Sequence, residues 1–228
     1  MNVVKMIAMY RAYFAGAPLG DVVVLKLDAY PSPKREVTQR LEPLRGYVPV
    51  HDLEALRRLP AGTLGREYAR FLDMNGIEPL VISVGIKERF RERPYPLRYT
   101  TTHDLHHVLT GFDTGLAGEL GALAFYVGQG SAPIGRALLW VGRILYTLLS
   151  PTQARELWRN ARVGLEMGEA AELVIAQPLE SWFEEPLCDV QAKLRIPEPY
   201  AAGILPSGRS VIGDLIYPKK KPAERAAD

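Results

Sequence analysis

Three of the four histidines in this chain stand within five positions, at His103, His106 and His107, and Glu119 follows twelve residues after the last of them. In a helix, His103 and His107 lie one turn apart on the same face, so two imidazoles can reach one point. On a single straight helix Glu119 would lie about 18 Å further along, at 1.5 Å per residue, too far to share a site. The chain must therefore turn back. Gly111 and Gly115 bracket Phe112-Asp113-Thr114, and a reversal there returns Glu119 opposite the two histidines. The segment thus predicts two antiparallel helices: His103 to Thr110, capped by Thr101 or Thr102 and closed by Gly111, then one from Asp113 or Thr114 to about Val127. Asp104 points about 100° away from His103, placed to serve as an edge ligand, an orienting carboxylate or a base. Two imidazoles with one or two carboxylates suit zinc, iron, manganese or cobalt, and spacing alone does not choose. The alternative is a polar helix face that binds nothing.

Helical signals continue on both sides. Asp52 caps a helix over Leu53 to Leu59, ended by Pro60. Thr63 caps another through Asn75, with Leu64, Tyr68, Phe71 and Leu72 on one face and Gly76 as its stop. A polar connection with prolines runs from Lys87 to Tyr99. A helix is predicted from Ile134 to Leu149, and Ser150-Pro151 restarts a long one from Thr152 to about Gln177. The last runs from Leu179 to Leu194. Residues 15–50 are punctuated by glycine and proline and read as an extended arm, with Val22 to Leu27 as a short strand. The expected class is all-α, a single-domain helical bundle: an irregular N-terminal arm (1–50), a helical metal-binding domain (51–197) and an irregular basic tail (198–228).

Composition excludes several classes. With 47% hydrophobic and 24% charged residues the chain is no disordered segment. Its net charge of +2 lacks the clustered excess of a nucleic-acid binder. A lone Cys188 allows no intramolecular disulfide and no thiolate cluster, which fits a reducing cytoplasmic setting, and it reads as a small core residue. Lys5 interrupts any secretory core in Met1 to Phe14. The longest apolar run, Ala137 to Leu149, contains Arg143 and falls short of the roughly 20 residues a span needs. Arg136 and Arg143 share a face of that helix, either as a solvated edge or toward lipid headgroups on the inner face of the cytoplasmic membrane; Lys219 to Lys221 would add weak attraction. Gly115, Ala117, Gly118, Gly121, Ala122 and Ala124 form a small face, read first as close helix packing and second as room for an isoprenoid chain.

The residues also resemble a family. His103-Asp104-Leu105-His106-His107, eleven residues, then Glu119 is similar to the His-Asp-x-x-His…Glu signature of the coenzyme Q (ubiquinone) biosynthesis protein 4 family. Leu59-Pro60-Ala61-Gly62-Thr63-Leu64-Gly65-Arg66-Glu67-Tyr68 upstream resembles it too, as do His107-Val108-Leu109-Thr110-Gly111, Trp158-Arg159-Asn160 and Trp182-Phe183-Glu184-Glu185-Pro186-Leu187 through Leu194-Arg195-Ile196-Pro197. The resemblance covers about residues 59–197, and the poor match outside it points to a divergent bacterial relative. It implies a helical protein with a divalent metal, usually assigned as zinc, held by His103, Asp104, His107 and Glu119. The implied partners are a prenylated quinone precursor or another isoprenoid lipid, a membrane surface, other quinone-biosynthesis proteins and a second copy of the chain, with no nucleic acid. The implied activity is replacement of the carboxyl group at ring carbon 1 of a polyprenyl benzoate by hydroxyl. The family has aromatic residues where this chain has Leu105-His106, so a shifted register using His106 is an alternative. The rival readings are a non-catalytic isoprenoid-binding scaffold and a zincin-like metallohydrolase, in which Asp104 would replace the usual glutamate base.

Overall fold

The computed structural model of the chain describes residues 2–132 and 134–208. The Lys219–Lys221 run lies outside them. Helices α1 (Val3–Phe14), α2 (Leu19–Ala29) and α3 (Arg35–Leu41) come first. Then follow α4 (Leu53–Arg57), α5 (Leu64–Asn75), α6 (Val84–Arg89), α7 (Pro94–Thr110), α8 (Leu116–Gly128) and α9 (Arg136–Leu149). The last are α10 (Ala154–Ala170), α11 (Leu187–Lys193) and α12 (Pro199–Ala202). No strand occurs among the described residues, so the fold is all-α as expected. None of these helices is long and apolar enough to cross a membrane.

Local chemistry explains most boundaries. The Asp52 carboxylate accepts the Ala55 N–H at 3.0 Å and the Thr63 hydroxyl accepts that of Arg66 at 3.4 Å, which caps α4 and α5 as their side chains predict. Gly76 and Gly111 end α5 and α7 in the left-handed conformation, at φ 61° and 78°.

Helix α7 is the axis of the site, and it starts earlier than expected. Pro94 and Pro96 fall in its first turn, where N–H groups have no helical acceptor, so they begin the helix instead of breaking the chain. Thr101 and Thr102 accordingly cap nothing. Their hydroxyls donate back to the carbonyls of Leu97 and Arg98, at 3.2 and 2.8 Å. Leu105 and Leu109 of α7 are buried with Leu64, Tyr68 and Leu72 of α5, Val190 of α11 and Leu194 just after it.

The expected strand at Val22–Leu27 is instead the middle of α2. Val22, Val24, Leu25 and Leu27 are buried against α1, α3 and α7, and that burial outweighs the mild helix penalty of three successive valines. Polar ties hold α2 in place. The Asp21 carboxylate accepts the Ser83 N–H at 2.7 Å, and Asp28 pairs with Lys5 at 2.8 Å and with Arg93.

Two further boundaries differ. Helix α10 stops at Ala170 instead of about Gln177, and the predicted last helix is split into a short 3-10 turn, Leu179–Trp182, and α11, which begins after Pro186. Cys188 is exposed, not a core residue, because α11 turns Val190 and Gln191 inward.

The small residues of α8 serve packing. A Cβ added at Gly164 of α10 would fall on the Gly121 carbonyl oxygen, and one at Gly168 on that of Phe125. Helices α8 and α10 therefore touch backbone to backbone, with no room left along that seam for a ligand.

Candidate metal centre

Helix α7 carries His103, Asp104, His106 and His107, and the left-handed Gly111 lets the chain reverse into α8, whose first turn carries Glu119. The reversal is held by Asp113. Its carboxylate accepts the Gly115 N–H at 2.8 Å and the Ser207 N–H at 2.7 Å, while the Ser207 hydroxyl accepts the Gly118 N–H at 2.9 Å. Asn160 of α10 holds the chain beyond α12 in register by exchanging hydrogen bonds with the Leu205 backbone.

This hairpin brings one ligand atom each from His103, His107 and Glu119 within 4.8 Å of one another. The hydrogen bonds decide how the imidazoles point. His107 Nδ1 lies 2.9 Å from the Phe112 carbonyl oxygen, which can only accept, so Nδ1 carries the proton and Nε2 presents a lone pair. That Nε2 is buried, has no hydrogen-bond partner, and lies 3.6 Å from a Glu119 carboxylate oxygen. A carboxylate and an imidazole lone pair facing each other both lack a proton to share. A bound cation would satisfy both. His103 repeats the pattern, with Nδ1 3.3 Å from an Asp104 oxygen and Nε2 left free. Each ring is thus oriented through its far nitrogen, as metal-ligating histidines are. Burial by itself would push the His103 imidazole down. The Asp104 hydrogen bond and the nearby Glu119 and Asp104 charges outweigh it, and its pKa is raised. The residues present therefore fit a divalent metal with a nitrogen-rich set of two imidazoles and a carboxylate.

Asp104 and His106 do not join that group. Asp104 lines a separate cavity of about 450 Å³ with His51, Tyr68, Thr100 and Thr101, and reaches the centre only through the His103 ring. His106 donates its Nδ1–H to the Thr102 carbonyl at 2.7 Å and packs on Tyr126 with ring centroids 4.4 Å apart and the planes tilted by 31°. Burial pushes its pKa down to about 3, so it is neutral, and its ring is buried against Phe125 and Tyr126 of α8.

A cavity of about 600 Å³ opens beside the three donors, with His103 and Glu119 in its wall. Val23 and Leu27 of α2, Leu120 and Leu123 of α8, and the rings of Tyr99 and Tyr126 give it a largely apolar lining. Lys26 of α2 lines it as well. The cavity wall from α2 is the part that sequence reasoning missed. Residues read as an extended arm carry no helical register, so nothing along the chain places Val23 or Lys26 opposite α7.

Comparison with known proteins then bears on identity. The profile of the family described as Coenzyme Q (ubiquinone) biosynthesis protein Coq4 matches residues 47–200. The chain is 30% identical over 154 residues to the mitochondrial ubiquinone biosynthesis protein COQ4 homolog of Mus musculus, covering 65% of this chain and 55% of that one. The homolog of Danio rerio is 33% identical over 155 residues, covering 65% and 54%. The chain thus spans about half the length of the curated relatives it matches. The fold is shared with a crystal structure of a candidate ubiquinone biosynthesis protein from Nostoc punctiforme, at a TM-score of 0.56 and 24% identity over 84% of this chain and 95% of that one. The chain belongs to the Coq4 family of ubiquinone biosynthesis proteins.

Proposed function

We propose that the chain binds a prenylated aromatic precursor of ubiquinone in the 600 Å³ cavity, beside a divalent metal held by His103, His107 and Glu119, and replaces the carboxyl group at ring carbon 1 by hydroxyl. The observation that carries this reading is the convergence of three metal-type donors, two of them, His103 and Glu119, in the wall of a largely apolar cavity. Zinc is the first choice for such a donor set, with iron, manganese and cobalt also compatible. The metal would act as a Lewis acid that polarises an oxygen of the bound carboxylate. The protein's own residues position the ligand. Leu120, Leu123, Val23 and Leu27 shield an isoprenoid tail from water, Tyr99 and Tyr126 flank the ring beside His103, and Asp104 keeps the His103 Nε2 aimed inward. The overall change is balanced when the aromatic acid and water give the phenol, carbon dioxide, two protons and two electrons. A two-electron acceptor therefore takes part.

Purification followed by metal analysis and mass spectrometry of co-purifying lipid tests this. The expected result is stoichiometric metal together with a prenylated aromatic or isoprenoid species. Protein that holds no metal and rebinds neither zinc, iron, manganese nor cobalt would overturn it. The zincin-like alternative finds no support in the geometry, since Asp104 lines the other cavity and does not face the point where a general base would stand. If His103→Ala and Glu119→Ala remove metal yet leave ubiquinone synthesis intact, the scaffold reading replaces the catalytic one.

A membrane-dissolved substrate needs a route in, and we propose that the protein sits on the bilayer surface. Leu138, Trp140, Val141, Leu145 and Leu148 of α9 are exposed, as are Val3, Val4, Ile7 and Phe14 of α1. Ile134, just before α9, and Tyr146 within it line the cavity, so an apolar surface continues to its wall. Arg143 stacks on the Trp158 ring at 4.0 Å instead of standing free, and Arg136 pairs with Glu169. Insertion therefore rests on the apolar side chains more than on headgroup attraction. Flotation with liposomes should carry the protein upward, and Trp140→Glu with Leu148→Glu should abolish this. A wild-type protein left wholly at the bottom of the gradient sinks the idea.

A further inference from the structure

We infer that Lys26 recognises the anionic head of the cavity's ligand, a carboxylate on an aromatic ring with an apolar tail, and thereby sets which end of the ligand meets His103 and Glu119. The inference rests on the cavity reading proposed above and adds a residue that decides its specificity. Among the described residues lining the cavity, Lys26 is the single lysine or arginine. It stands three residues after Val23 and one before Leu27, both of which line the cavity, and it is exposed; a lysine so placed can lay its stem on apolar surface with its ammonium group in water.

The fold makes no use of that charge. The other ionic groups of α2 are spoken for, Asp28 by Lys5 and Arg93 and Asp21 by the Ser83 N–H, whereas Lys26 pairs with no acidic group among the described residues. Lys26 shares the cavity wall with His103 and Glu119, two of the three donors. Glu119 lies in the same wall and would repel an anion standing alone. A lysine beside a site that already carries a carboxylate is what an anionic ligand requires there. An aliphatic ligand without a charged head would leave Lys26 without a counterpart. Finally, Lys26 lies outside residues 47–200, the stretch matched by the family profile. The device therefore belongs to the part of this chain that the family pattern does not describe.

The test compares three probes by fluorescence titration of the full chain: geranyl-4-hydroxybenzoate, geranylphenol, which is the same molecule without its carboxylate, and geranyl phosphate. Lys26→Met is expected to weaken the acid about tenfold, the size of one charge-assisted hydrogen bond at a partly exposed position. Geranylphenol should be unaffected, and Lys26→Arg should keep most of the preference for the acid. Lys26 is exposed, so neither variant should alter far-UV circular dichroism. The inference is overturned if Lys26→Met leaves the ratio of acid to phenol affinity as in the wild type. It is also overturned if the lysine-dependent gain appears with the phosphate alone. Should the wild type bind none of the three, geranylphenol included, the cavity reading itself fails and takes this inference with it.

Discussion

Replacing His107 by alanine is expected to lower metal affinity more than about 100-fold, because loss of an outer partner alone costs roughly 10–100-fold and His107 is a donor itself. Glu119→Gln should have a similar effect, by removing the one carboxylate of the convergent set. Asp104→Asn is the informative comparison. Its carboxylate touches the site only through His103 Nδ1, so it should fall within the outer-partner range. His106→Ala should leave affinity unchanged, since that ring is turned toward Thr102 and Tyr126. Competition against a chromophoric chelator reads all four variants on one scale. Full-strength binding by His107→Ala would refute the assignment, and a loss at Asp104 as large as that at His107 would make Asp104 a ligand. Helicity should be retained throughout, because the hairpin is held by Leu105, Leu109 and Phe112 in the main core.

The second large effect concerns Arg98, which lies on α7 about one turn before His103 and is 1% exposed. Its Nε donates to the Ile175 carbonyl at 3.0 Å, a terminal nitrogen donates to that of Gln177 at 2.5 Å, and the other pairs with Glu180. One guanidinium thus fastens α7, the helix of His103 and His107, to the irregular stretch after α10. Arg98→Met should destabilise the fold by about 3–5 kcal/mol, because it leaves the Glu180 carboxylate and two carbonyls buried without their donor. Urea unfolding followed by circular dichroism measures this. The double variant Arg98→Met with Glu180→Gln should recover part of the loss, as the orphaned charge is then gone. A single-variant change below about 1 kcal/mol would mean that water replaces the guanidinium at no penalty.

What was legible along the chain was local. Asp52, Thr63, Gly76 and Gly111 act where their own chemistry puts them, and the distance argument between His107 and Glu119 leaves a hairpin as the single solution. Elsewhere the same local rules misled. Pro94 and Pro96 break a helix in its interior and start one in its first turn, and only the surrounding fold decides which applies. Three valines in α2 favour a strand until burial against α1, α3 and α7 is counted. The roles of Lys26, Tyr99 and Arg98 depend on contacts across many tens of residues, which no spacing rule reaches. His106 shows the reverse case. It stands inside the motif and looks like a ligand, yet one helical step turns it away from the other two rings.

The far-nitrogen bonds of His103 and His107 have a consequence for ion choice. With Phe112 and Asp104 holding the rings and Asp113 fixing the start of α8, much of the rotational freedom of the donors is lost on folding, before any ion arrives. An arriving ion then meets less of the ordering penalty of about 0.5–1.5 kcal/mol for each freely rotating side chain, unlike a zinc finger, where binding and folding are one event. A stiff cage of this kind cannot relax outward around a large ion such as calcium. Under the proposed metal reading it would select by radius and donor angle, so that the scaffold rather than the ion's raw affinity for nitrogen would settle which metal binds.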